Sequence, residues 1–199
     1  RVETQPNAQT LSLGIYSVVG NAFQENRLED AHAMLVRIFA VHQDNSDWTN
    51  NLGFASRDLG VEAFQKGQTE KAADLFQTSW LAYSRTVELS PDDVRLVNDR
   101  ALIAVYYLDE HRNLAEKELH RAIQMGDKQM AEQGDTMAHQ EKQDLDEAIG
   151  DAWENLAYLD VIRRQRVDRA ETYLQKSSSH YPHDQRSGVL RIRQAMNPQ

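Results

Sequence analysis

Histidine and carboxylate side chains that could coordinate a metal ion or move a proton occur in two short stretches of the sequence. His111, Glu116 and His120 follow one another closely, and the last two are four residues apart, which places them on one face of a helix. His180 and His183 flank a proline. Two ligands on an exposed helix do not complete a metal site. We therefore interpret these histidines as part of a solvated polar surface and expect no metal and no cofactor.

Other common signatures of catalysis are missing from the chain. It contains no cysteine, which excludes thiolate nucleophiles, cysteine-based metal sites and disulfides. It also has no glycine-rich phosphate-binding loop, no nucleophile elbow and no helical motif of two histidines and a glutamate. The sequence therefore predicts that the protein is not an enzyme.

The charge and hydropathy of the chain limit its partners. Its 22 basic residues are outnumbered by 31 acidic ones, giving a net charge of -9 at pH 7, whereas nucleic acids and anionic membranes attract clustered Lys and Arg. No apolar run approaches the ~20 residues that cross a bilayer. We expect a protein or peptide partner, no nucleic acid and no membrane insertion. The start at Arg1 rather than Met indicates a piece of a larger protein, for which we expect a bacterial source, in the cytoplasm or exported.

The elements that carry these residues are predicted to be helices. Pro and Gly are few, at 4 and 9, and apolar residues recur three and four positions apart between short polar turns. The predicted boundaries are an N-terminal tail at 1–10, hairpins at about 11–43, 46–90, 92–125 and 144–181, a polar insert at 126–143, and a capping helix at 184–196. The insert is interpreted as a loop or a loosely attached helical extension. We treat 11–199 as a single array.

Residues at fixed helical offsets return from one predicted hairpin to the next. The third hairpin carries Leu102, Tyr106, Ala115, Leu119 and Ala122. The fourth carries Trp153, Leu156, Ala157, Ala170, Leu174 and Pro182, and the second carries Trp48, Leu52, Gly53, Ala72 and Phe76. Small and large residues that recur in this way indicate stacked helical hairpins.

This pattern resembles the tetratricopeptide repeat family. Its unit of about 34 residues has Trp, Leu-Gly and Tyr on the first helix, then Ala, a large residue and Pro on the second. The resemblance implies an all-α superhelix of about four hairpins plus a C-terminal capping helix. Both helices of the second hairpin are about two turns longer than the family norm, so this hairpin is expected to protrude.

Family members generally bind peptides or protein segments in the groove lined by the first helices. The resemblance places these residues at that groove: Tyr16, Phe23, Asn51, Phe54, Arg57, Arg100, Tyr107, Asn155 and Tyr158. Aromatic and Arg side chains are typical interface anchors. The same aromatic residues could instead pack against adjacent hairpins, as we expect for Tyr106 and Trp153.

Two arginines of this set have two interpretations. Arg57 and Arg100 could hold a carboxylate bidentately, or each could pair with a neighbouring acid such as Asp58 or Asp99.

Some members of the family hold a chain-terminal carboxylate in a clamp of five basic and amide residues. Only Asn51 matches that clamp, because Tyr16, Gly20, Val97 and Ala101 stand at its other positions. A receptor of that type is not expected.

We therefore expect a non-catalytic scaffold that binds a peptide or partner domain in the concave groove. Two alternatives stay open. The chain could be an accessory or docking domain of a larger multidomain enzyme, or a self-association module that forms a homo-oligomer through the long hairpin or an uncovered end of the array.

Overall fold

The computed structural model describes residues 8–180 and 187–197, which form helices joined by turns and contain no strand. The helices are α1 (Ala8–Gln24), α2 (Leu28–Phe39), α3 (Ser46–Gln65), α4 (Thr69–Leu89), α5 (Val94–Tyr106), α6 (Arg112–Gln133), α7 (His139–Tyr158), a π-helix (Leu159–Arg163), α8 (Ala170–His180) and α9 (Ser187–Met196). The predicted all-α fold class is confirmed. None of these helices combines the length and apolar character that a membrane crossing needs.

Polar caps set several helix boundaries. The Asn45 side chain accepts the backbone N–H of Trp48 at 3.0 Å at the start of α3, and Asp93 accepts that of Leu96 at 3.1 Å at the start of α5. Both lie in the polar segments that predict helix starts. The helical part begins earlier than expected, at Ala8, so the predicted tail at 1–10 is too long, and residues 1–7 lie outside the described part.

The chain divides into two compact units, residues 1–85 and 86–199, called unit 1 and unit 2 below and described separately. The division falls within α4, and the prediction of one array over 11–199 stays a prediction. The core of unit 1 is formed by buried residues of α1 to α4: Val19, Leu35, Trp48, Leu52, Ala55 and Ala82. In this unit α1 and α3 run side by side in the same direction, because Tyr16 stacks on Trp48 and Phe23 contacts Phe54.

Two glycines allow α4 to approach α3 closely. A Cβ atom at Gly53 would lie 2.8 Å from the ring of Tyr83, and one at Gly60 would lie 2.6 Å from the ring of Phe76. Ser79 also donates a hydrogen bond to the Gly53 carbonyl at 2.7 Å. The helices contain 20 and 21 residues, so the long second hairpin is present as predicted.

Unit 2 pairs its helices in the same manner. Neighbouring helices from α5 to α8 pack in sequence order, and α5 also contacts α7. The aromatic packing expected from the sequence is present. Tyr106 stacks on Tyr158 with ring centroids 4.1 Å apart. Trp153 lies between His120 and Tyr173, at 6.4 and 5.4 Å.

The loop interpretation of the insert at 126–143 is wrong. Helix α6 continues to Gln133, and α7 begins at His139 after a short turn, so both helices of this pair are longer than predicted. Gly126 is buried where α6 meets α7, and a Cβ atom there would collide with Ile149. Of the two interpretations of the insert, the helical extension is therefore correct. It is tightly packed at Gly126 rather than loosely attached.

The predicted capping helix at 184–196 corresponds to α9, and residues 184–186 lie outside the described part. α9 buries Val189 and Ile192 and packs against α7 and the π-helix. Its Gly188 lies against the Glu154 carboxylate and its Arg191 faces the ring of Tyr158. This helix therefore covers the face of α7 that carries these two side chains.

Candidate functional site

The most exposed aromatic surface of the predicted groove lies in unit 1, on α1 and α3. The Phe54 side chain is 37% exposed, and its ring lies 5.9 Å from that of Phe23 at 59°. The Arg57 guanidinium lies 4.9 Å from the centre of the same ring. We call Phe23, Phe54 and Arg57 the aromatic patch. Asn51 is half-buried one helical turn before Phe54, so four of the nine predicted residues meet on this surface.

Arg57 also forms an ion pair with its neighbour Asp58, the second of the two interpretations that the sequence leaves open. Its Nε donates to Asp58 Oδ1 at 2.9 Å, and its side chain stays 22% exposed. An Arg held over an aromatic ring contributes about 0.5–1 kcal/mol at an exposed site. The guanidinium is therefore in contact with both the carboxylate and the ring.

Tyr16, the fifth predicted residue of unit 1, is mainly a packing residue. It is half-buried and stacks on Trp48 at 3.8 Å. Its hydroxyl accepts a hydrogen bond from Asn45 at 3.0 Å and lies 3.5 Å from Asp47 Oδ2. Burial raises the pKa of Tyr16, as does the charge of Asp47, while the Asn45 hydrogen bond acts in the opposite direction.

Arg100 in unit 2 forms a buried ion pair. Its Nε donates to Glu118 Oε2 at 2.7 Å, and its Nη2 contacts the other carboxylate oxygen. The two side chains are only 14% and 6% exposed. Sequence reasoning considered Asp99 as the neighbouring acid and missed Glu118, which lies on the next helix. Arg100 thus joins α5 to α6.

The other predicted groove residues of unit 2 are largely covered. Asn155 is buried and donates to Asn98 Oδ1 at 3.0 Å. Tyr158 is buried between Tyr106 and α9, and burial raises its pKa although the nearby Arg191 and Arg163 charges lower it. Tyr107 is half-buried with its ring 5.9 Å from that of Tyr106.

The open surface between α5 and α7 is acidic. It forms a cleft of about 300 Å³. Its charged and amide lining consists of Arg95, Asn98, Asp99, Asp144, Glu147 and Asp151. This part of the predicted groove therefore presents carboxylates rather than aromatic anchors. Val97 and Ala101, at clamp positions of the family, are fully buried.

The histidines considered as ligands are dispersed. His120 meets the edge of the Trp153 ring, and His180 Nδ1 lies 3.2 Å from Asp146. Glu116 accepts a hydrogen bond from Arg164 at 2.7 Å. Burial raises the pKa of Glu116, but the Arg164 hydrogen bond and the surrounding Arg charges outweigh it, so the pKa is lowered. In residues 8–180 and 187–197 no group of three potential ligands is assembled, and His183 lies outside that part.

A cluster of arginines at one end of unit 2 is not among the residues predicted from the sequence. Asp160, buried in the π-helix, lies 2.8 Å from Arg169 and also pairs with Arg164 and Arg166. Arg112 and Arg163 converge on Asp109. In the sequence this cluster is marked by the basic run at 163–169. The run lies inside the last predicted hairpin, where polar residues are expected in the turn between the two helices. π-Helical turns are frequent at functional sites.

No protein-family model matches the chain, and comparison with curated proteins gives no match. The class established by the geometry is an all-α protein of antiparallel helical hairpins. The resemblance to the tetratricopeptide repeat family rests on the sequence pattern and stays a prediction.

Proposed function

We propose that the protein is a non-catalytic scaffold that binds a peptide or a partner domain through the aromatic patch of unit 1. The observation that carries this proposal is the position of Phe54. Its ring is held on the surface by Phe23 and Arg57 rather than turned into the core. Aromatic and Arg side chains in such positions supply most of the binding energy at many interfaces.

The rigidity of the patch supports the same proposal. A side chain that is already fixed loses little conformational entropy on binding, whereas a free one costs about 0.5–1.5 kcal/mol. Phe54 is in contact with the Phe23 ring and with the Arg57 guanidinium. Its partner should supply an apolar side chain for the ring, because the exposed ring offers mainly apolar contact area.

The predicted residues of unit 2 are less suitable as anchors. Arg100 is engaged with Glu118, and Asn155 and Tyr158 are buried. Exposing any of them would break contacts inside the unit. We therefore assign the contact surface to Phe23, Phe54 and Arg57 and give Arg100, Asn155 and Tyr158 a structural role.

The test compares two phenylalanines of α3. Phe54→Ala removes the centre of the patch, while Phe64→Ala removes an equally large ring that is 65% exposed near the end of the same helix. A photo-crosslinker at Asn51 captures the partner in a native lysate, and calorimetry with the purified partner then gives the affinity of each variant. Phe54→Ala should weaken binding at least about tenfold, the scale of an interface hot spot.

The Phe64→Ala protein should bind as the parent does. Circular dichroism establishes that both variants keep their helix content. Equal affinities for Phe54→Ala, Phe64→Ala and the parent would refute the proposal for this surface.

Self-association is the second candidate, and exposed aliphatic residues of α1 favour it. Ile15 and Val18 are neighbours on one helix face and both are exposed. Such residues are normal singly and become notable when contiguous. Sedimentation velocity at increasing protein concentration tests this candidate, since a mass that rises for the parent and not for Val18→Glu supports a homo-oligomer.

A further inference from the structure

Two arginines of unit 2 converge on one exposed carboxylate. Arg112, at the start of α6, and Arg163, in the π-helix, both contact Oδ1 of Asp109, the latter at 2.8 Å. The Asp109 side chain is 84% exposed, whereas the two arginine side chains are mostly buried. The cations are therefore fixed by the fold, and the anion between them lies on a surface turn.

Asp109 does not satisfy the donors around it. The Nε atoms of Arg112 and Arg163 are buried and have no hydrogen-bond acceptor within the described residues. One negative charge also faces two positive charges. Nearby acids do not correct the imbalance. Among the described residues Glu116 and Asp160 form the ion pairs of this cluster with three other arginines, Arg164, Arg166 and Arg169.

The same place is open to a ligand. A cleft of about 410 Å³ is lined by Asp109 and Arg112, and Arg163 adjoins it through its contact with Asp109. A group the size of phosphate occupies only a small part of that volume. The cleft is lined by Asp109, Glu110, His111, Arg112, Asn113, Leu114 and Arg164. Glu110 is the opposing charge of this lining besides Asp109, and both acids lie on the exposed turn before α6.

We propose that Arg112 and Arg163 form a binding site for a dianionic phosphate group, which Asp109 occupies in the ligand-free protein. A phosphate monoester carries nearly two negative charges at pH 7 and three acceptor oxygens, which match two guanidinium groups better than one carboxylate does. Guanidinium groups bind phosphate bidentately. An exposed carboxylate is a weak competitor, because surface ion pairs contribute little.

The site is separate from the aromatic patch, which belongs to unit 1. Binding at one surface can therefore fail in an experiment without affecting the conclusion about the other.

Calorimetric titration with inorganic phosphate at pH 7.5 and low salt tests the site in the full chain. Asp109→Asn removes the competing charge and should tighten phosphate binding by about threefold or more. Arg112→Gln and Arg163→Gln should each weaken it by about tenfold, the size expected for a lost charge-assisted hydrogen bond. Arg95→Gln, an equal charge change at the exposed start of α5, is the matched control and should bind as the parent does.

Two further arms identify the source and the protonation state of the ligand. Tighter binding of a short phosphoserine peptide than of inorganic phosphate assigns the site to a phosphorylated partner segment, and the reverse assigns it to a small phosphate. His111 also lines the cleft, so the pH test uses Asp109→Asn combined with His111→Gln. The phosphate affinity of this double variant should fall between pH 7.5 and pH 5.5, because phosphate loses its second charge near a pKa of about 6. Acetate, which keeps its single charge over most of this range, should show no comparable fall.

The Asp109→Asn variant keeps the proposal falsifiable even if an arginine variant is unstable. If this variant binds phosphate no better than the parent, or if Arg112→Gln and Arg163→Gln remain folded and bind phosphate as the parent does, the proposal is wrong. A purely structural role for the two arginines would change the thermal midpoint and leave phosphate affinity unaltered.

Discussion

Gly53 and Gly20 both lie inside helices of unit 1 and have opposite surroundings. A Cβ atom at Gly53 would lie within 3 Å of the fully buried Tyr83 ring, whereas one at Gly20 would have no neighbour within 4 Å. Replacing Gly by Ala in a helix interior gains roughly 0.5–1 kcal/mol in the absence of other effects. Overpacking a well-filled core costs typically about 1–3 kcal/mol. Steric conflict should therefore outweigh the helix preference at Gly53 and not at Gly20.

We expect Gly53→Ala to lower the free energy of unfolding by about 1–2 kcal/mol and Gly20→Ala to raise it by about 0.5–1 kcal/mol. Urea unfolding followed by circular dichroism measures both changes. A stabilised Gly53→Ala protein would show that Tyr83 can shift and that the close helix approach is not required.

At the same scale, spacing in the sequence predicts which face of a helix a residue lies on more readily than which residue it contacts. Arg57 pairs with the adjacent Asp58 as one of the two interpretations states. Arg100 instead pairs with Glu118, which lies 18 positions further on. The acid that meets Arg100 depends on how α5 packs against α6. Local spacing does not contain that information.

Between elements, the Arg100–Glu118 pair is a buried charge pair that joins two helices. Removing one member of such a pair leaves the other charge without compensation and costs about 3–5 kcal/mol. We expect this loss for Arg100→Ala, measured by urea unfolding. The half-exposed Arg57–Asp58 pair is the matched comparison, and Arg57→Ala should lose less than about 1 kcal/mol.

A double replacement distinguishes the loss of the ion pair from the cost of leaving one charge buried without its partner. Arg100→Met with Glu118→Leu keeps the volume and removes both charges, so it should be far closer to the parent than Arg100→Ala, as found for other buried ion pairs. A loss of less than about 1 kcal/mol in Arg100→Ala would show that water reaches Glu118 and that the pair is not functionally buried.

The helix pattern was predictable because caps and apolar periodicity are local. Asn45 and Asp93 both lie in segments that predict helix starts, and both act as caps. The region at 126–143 was misinterpreted for a related reason. Gly126 and Gly134 with many polar residues resemble a loop, yet Gly126 is required by the close approach of Ile149. A glycine that ends a helix and one that admits a neighbour look the same in a sequence.

The candidate site was predictable only in part. Phe23, Asn51, Phe54 and Arg57 lie together because one helix periodicity places them on neighbouring first helices. Tyr158 has the same periodicity but is covered by α9. Which helix covers which face depends on tertiary packing of the last segment, and the arginines around Asp109 come from elements about 50 positions apart.

For the molecule as a whole, the excess of acidic residues is the dominant electrostatic feature. The net charge is -9 at pH 7, and like charges destabilise a compact state through mutual repulsion. At about 0.01 M salt the Debye length is about 30 Å, which spans most of a small domain, and at about 0.15 M it is about 8 Å. Salt should therefore relieve repulsion between distant acids more than it weakens exposed ion pairs, each worth at most about 1 kcal/mol.

We expect the thermal midpoint at pH 7.5 to rise by several degrees when NaCl is increased from about 0.01 to about 0.15 M, since 1 kcal/mol corresponds to about 2–4 °C for a chain of this size. The same titration near pH 5.2, the isoelectric point, is the internal control. There the net repulsion is absent, so screening acts mainly on favourable pairs and the midpoint should stay constant or fall. An equal rise at both pH values would contradict the repulsion argument and indicate a salt effect that does not depend on net charge.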